Sequence, residues 1–130
     1  TVLRQKLGDQ TPKFGCGQGG CGACMVLVDG EQMQSCLVLA ETVAGRNIQT
    51  LAGLSGAELD PLQTAFMEGF AAQCGYCTPG MLIACQALIE QTPHPDEAQI
   101  REAIGANLCR CTGYQQIVDA VKLATEPADG

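Results

Sequence analysis

The chain has 130 residues, room for one domain or two small ones, with nine cysteines, sixteen glycines and no tryptophan. Its net charge is −7 with only seven Lys and Arg, which excludes the basic stripe that nucleic-acid binding requires. No apolar run approaches a membrane-spanning length, and no leader pattern of basic start, apolar run and small-residue cleavage site opens the sequence. A cytoplasmic setting without a membrane span is therefore expected. There thiols stay reduced, and an odd number of clustered cysteines is better explained by metal ligands than by disulfides.

In chain order, Thr1 to Leu7 reads as a short helix with Val2, Leu3 and Leu7 on its apolar side, stopped at Gly8-Asp9. From Lys13 to Cys24, five glycines alternate with three cysteines, a composition that neither helix nor strand tolerates. This must be a loop. Met25 to Val28 follows as a strand, Asp29-Gly30 as a tight turn, and Gln32 to Cys36 as the returning strand of a hairpin. The turn brings Cys36 back toward the loop. Cys36 to Leu39 is apolar and expected to be buried, and Asn47 to Leu51 reads as a further strand.

The composition changes at Gly53 to Asp60, a polar connection that divides the chain into subdomains 1–53 and 54–130. The second is helical throughout. Asp60-Pro61 caps a helix whose inner face carries Leu62, Ala65, Phe66, Gly69 and Phe70. Thr78-Pro79 opens another, with Met81, Leu82, Cys85, Leu88 and Ile89 inward. His94 to Glu97 opens a third, lined by Ile100, Ala103 and Ile104. Tyr114 to Ala124 forms a fourth, with Ile117, Val118, Val121 and Leu123 as its stripe, before a frayed tail. Four short helices with small inner residues make an α+β chain ending in a compact bundle. Few large side chains are available for its core, so metal sites and burial against a partner chain should add stability.

Eight cysteines fall into two quartets. The first is Cys16, Cys21 and Cys24, spaced as C-x4-C-x2-C, with Cys36 further on. That spacing is the plant-type [2Fe–2S] signature, and its glycines let backbone N–H groups approach sulfur and tune the reduction potential. The same glycines also fit G-x-G-x-x-G, but no strand precedes the pattern and no helix follows it. The second quartet pairs Cys74 and Cys77 with Cys109 and Cys111, each pair in a loop between helices. Helix N-termini at one end of a bundle would favour an anionic cluster there. Zinc remains open for this quartet, because spacing alone does not distinguish it. Cys85 reads as a small core residue and His94 as a solvated loop residue. Arg110, between two ligands, faces either a cluster's charge or a partner.

Three stretches carry a family resemblance: Phe14 to Cys24, Gln73 to Met81, and Asn107 to Tyr114. Together they resemble the iron–sulfur subunit of the xanthine oxidase family of molybdenum hydroxylases. The resemblance implies a β-grasp, plant-ferredoxin-like N-terminal subdomain and a four-helix-bundle C-terminal subdomain, each with one [2Fe–2S] cluster. It implies a hetero-oligomer in which a large subunit binds molybdopterin and a medium subunit binds FAD. The role implied is electron transfer, with no catalytic residue in this chain. The second quartet would lie proximal to the pterin, against which Gln73 and Cys111 would sit, and the first nearer the flavin. Family members carry an N-terminal hairpin ahead of the helix matched by Thr1 to Leu7. This sequence lacks it, and an intact chain is expected to have it. Gly105-Ala106 also stands where Ser-Gly is usual before Asn107. A zinc-stabilised interaction module and a free-standing ferredoxin are the competing readings. Iron and sulfide content separates the former, and co-purification with larger chains the latter.

Overall fold

The structure, a computed structural model, describes residues 1–127. A single wide helical turn over Val2–Lys6 leads into the cysteine loop. β1 (Met25–Val28) then pairs antiparallel with β2 (Glu31–Gln34) and with β3 (Ile48–Gln49), giving the order β2-β1-β3. β1 is the central strand because all four of its residues are apolar and buried, so both faces find a core. Met25 and Leu27 pack against Ile83 and Ala87, while Val26 and Val28 face Val43. Asp29 and Gly30 have φ of +51° and +84°, the left-handed pair that closes a two-residue hairpin with the strand twist. The Asp29 carboxylate accepts from Arg46 Nε at 2.7 Å and Asn47 N at 2.9 Å, tying the hairpin to β3.

Helices α1 (Leu51–Leu54), α2 (Pro61–Glu68), α3 (Thr78–Gln91), α4 (Glu97–Ile104) and α5 (Gln115–Thr125) complete the chain. The last four form the bundle: α2 packs on α5 and α3, and α4 packs on α3 and α5. Its core gathers Phe66, Met81, Ile100, Ile117 and Val118 around the small residues Ala65, Ala71 and Cys85. Asp60 and Asp96 each close a capping box with the Gln three residues on, which fixes the starts of α2 and α4. Among the described residues no helix is long and apolar enough to cross a membrane.

Three apolar expectations are corrected. Leu37 and Leu39 are 64% and 69% exposed, because β2 ends at Gln34 and the chain leaves through two short helical turns that bury Val43 instead. Phe70 is 80% exposed: α2 stops at Glu68, and Phe70 takes φ +53° beyond it, so its side chain leaves the helical stripe. Leu123 is 51% exposed, while Ala120 and Val121 fill the inner face of α5. The strand expected over 47–51 is only Ile48–Gln49, since α1 starts at Leu51. Position 53 lies inside α1. Of the expected tail, residues 128–130 lie outside the described residues.

Candidate metal centres

The loop before β1 folds around Cys16. Its Sγ accepts backbone N–H groups from Gln18 at 3.4 Å and Gly20 at 3.2 Å. Those amides, opposed by some burial and aided by Cys21, lower its thiol to about 6. Gly17 and Gly19 have φ of +67° and +79°, which lets successive amides turn toward one sulfur. Gly15 leaves no space for a side chain, since a Cβ there would stand 2.7 Å from Cys21 Sγ. Ser35 fastens the returning hairpin by donating from N (3.3 Å) and Oγ (2.8 Å) to the Cys24 carbonyl. Cys36 N then reaches Cys24 Sγ at 3.4 Å. Burial first, then the neighbouring Cys24 and Cys16 sulfurs, raise the Cys36 thiol. All four sulfurs of the first quartet are thereby linked as neighbours.

The second region is built on helix ends. Cys77 is the N-cap of α3, and the loop from Asn107 to Tyr114 leads into α5. Burial, followed by Cys109 and Cys74, pushes the Cys77 thiol up to about 12. Burial also raises Cys109, but the Thr112 hydroxyl at 3.1 Å and the amides of Thr112 and Cys111 outweigh it and lower the thiol. Tyr114, at φ +72°, turns back so that its hydroxyl accepts from Cys109 N at 2.9 Å. Gln73 Nε2 donates to the Cys111 carbonyl at 3.1 Å, joining the two arms of the site. Cys74 and Cys111 are exposed, at the outer edge.

Between the regions, Leu108 N donates to the Cys21 carbonyl at 2.9 Å, and Tyr76 Oη donates to the Phe14 carbonyl. Asn107 and Gly80, to which sequence spacing assigns no role, both crowd the Gly22 carbonyl. Gly80 carried a signal: glycine early in a helix is unfavourable unless something needs the space. Cys85 is fully buried in the bundle, its thiol pushed up to about 12 by that burial. His94 is exposed and donates from Nδ1 to the Thr125 carbonyl at 2.7 Å.

Among the described residues, no three His, Cys, Asp or Glu side chains converge as for a single ion. The thiols instead form linked neighbours within two spread groups. All-sulfur donors, amides aimed at sulfur and a glycine cradle fit [2Fe–2S] clusters, which need two thiolates at each of two irons.

Known proteins are similar to this chain across both regions. A family model described as "2Fe-2S iron-sulfur cluster binding domain" matches residues 1–54, and one described as "[2Fe-2S] binding domain" matches 50–122. The chain is 42% identical to the nicotinate dehydrogenase small FeS subunit of Eubacterium barkeri, covering 96% of this chain and 80% of that protein. It is 44% identical to the xanthine dehydrogenase iron-sulfur-binding subunit of Escherichia coli O157:H7, covering 93% and 80%. The crystal structure of quinoline 2-oxidoreductase from Pseudomonas putida 86 superposes with a TM-score of 0.93 at 44% identity, covering 96% of this chain and 79% of that one. With its ferredoxin-like sheet, helical bundle and two cysteine regions, the chain belongs to the iron–sulfur subunit family of the xanthine oxidase class of molybdenum hydroxylases, the electron-transfer subunits of these oxidoreductases.

Proposed function

We propose that this chain conducts single electrons from a molybdopterin-bearing large subunit to FAD on a medium subunit, or to another acceptor, in a cytoplasmic hetero-oligomer. Cys16, Cys21, Cys24 and Cys36 hold one [2Fe–2S] cluster in a subdomain spanning residues 1–53. Cys74, Cys77, Cys109 and Cys111 hold the other in a subdomain spanning 54–130. When bound, such clusters supply one-electron redox chemistry at iron. The chain's own residues hold and tune them: amides of Gln18 and Gly20 stabilise negative charge on Cys16, and the Thr112 hydroxyl does so on Cys109.

One observation carries this reading. The two cysteine regions share a hydrogen bond, Leu108 N to the Cys21 carbonyl at 2.9 Å, one peptide bond from Cys109. A structural zinc module has no need to join its two sites so closely. Exposed Phe14, Tyr76 and Leu108 beside these loops favour cover by larger chains. In this reading Cys111 and Gln73, both exposed at the outer edge of the second region, face the pterin.

Anaerobic purification tests the proposal. About four irons per chain, matching sulfide and a visible absorption bleached by dithionite are expected; colourless, zinc-loaded protein would overturn it. In the assembled enzyme, Cys111→Ser should slow reduction of both clusters by substrate while dithionite still reduces the N-terminal one. Normal substrate reduction of that cluster would reverse the assigned order.

A further inference from the structure

Asn107 is 2% exposed, and its Nδ2 donates to the Gly22 carbonyl at 3.1 Å across 85 residues of sequence. The same carbonyl accepts Met25 N at 3.2 Å, which anchors it to the start of β1. Gly22 has φ +71°, and a Cβ there would stand 2.5 Å from Asn107 Nδ2 and 2.6 Å from the Ala106 carbonyl. Close beside Asn107, a Cβ at Gly80 would run into the Gly22 carbonyl. Three segments therefore meet without slack: the loop between Cys21 and Cys24, the first turn of α3 after Cys77, and the loop leading to Cys109.

The Asn107 amide is used in one orientation. Turned over, it would set oxygen against oxygen at Gly22, so the donor must face that carbonyl. That orientation ties the loop before Cys109 to the loop between Cys21 and Cys24, so the donor's task is positional. It holds Gly22 so that the adjacent Cys21 carbonyl lies in line with Leu108 N.

We infer that Asn107 is a positioning residue for transfer between the two cluster sites. It sets their separation and relative orientation and takes no part in ligating either. This inference rests on the two-cluster reading proposed above. Asn107→Ala removes the donor, and Asn107→Leu removes it while keeping the branched shape.

The test uses the full chain, iron-loaded and reduced with dithionite, followed by electron paramagnetic resonance. Wild-type protein should show two signals split by their mutual interaction. Both variants should retain full iron and both individual signals but lose or broaden the splitting. In the assembled enzyme, electron arrival at the N-terminal site should slow relative to arrival at the C-terminal one. Unchanged splitting and transfer in iron-loaded variants would overturn this inference alone. Loss of iron from either site would also overturn it, by making Asn107 a folding or ligation residue. Iron-free wild-type protein would overturn the two-cluster reading and this inference with it.

Discussion

The two cysteine regions reach similar chemistry by different physical means. The first depends on backbone: left-handed glycines turn the Gln18 and Gly20 amides onto Cys16, whose thiol falls to about 6 while remaining accessible. The second depends on packing: Cys77 caps α3 beside the bundle core, and burial drives its thiol up to about 12. The first resembles an anion nest shaped by glycine, whereas the second is shaped by where helices stop. The lesson is that the first should depend on its metal for order, and the second on its neighbours.

The largest effect is expected where the two designs meet. Gly80→Ala gains about 1 kcal/mol of helix propensity, but its Cβ collides with the Gly22 carbonyl at about 3 kcal/mol. The iron-loaded chain should therefore lose about 2 kcal/mol in urea denaturation. No loss would mean the regions meet loosely. Removing iron with a chelator comes next. Hydrogen exchange should rise sharply over residues 13–24 while the helical circular dichroism signal persists, because apolar side chains fill the bundle core and Cys77 and Cys109 only border it. Melting of α3 and α5 together with the loop would erase the distinction.

Thr112→Val then probes the second region alone. It deletes the hydroxyl at Cys109 Sγ and the acceptor for Tyr114 N at 3.2 Å, a loss of about 1 kcal/mol. The C-terminal cluster's potential should become more negative and the N-terminal one should not move, read by redox titration. The smallest effect changes no stability. In the metal-free chain, Cys77, held beside the bundle core, should stay protonated and unreactive toward iodoacetamide at neutral pH, whereas Cys16 in the loosened loop should take it up. Equal labelling of the two, read by peptide mass spectrometry, would contradict the contrast.

The first region was almost wholly legible from sequence because its cause is local. Glycine and cysteine alternate over twelve positions, and the hairpin that returns Cys36 is closed by Asp29-Gly30 directly after β1. Helix starts were legible for the same reason: Asp60 and Asp96 each act on a Gln three residues away. Helix ends were not. Apolar spacing counted Phe70 and Leu123 inward, but a stripe cannot show that α2 has stopped at Glu68 or that Val121 already fills the space against α2. Leu37 and Leu39 failed similarly, since the apolar run continues past the point where β2 leaves the sheet.

Residue types and their spacing establish the chemistry available: eight thiols in two sets, glycines where amides must reach sulfur, and capped helices behind them. Those are short-range consequences of residue type and spacing. Tertiary structure alone decided how the two sets stand toward each other. The Leu108–Cys21 hydrogen bond and the contact of Gly80 and Asn107 with Gly22 join positions far apart in the chain. Such contacts require β1 packed on α3 and the bundle closed, and no local pattern encodes them.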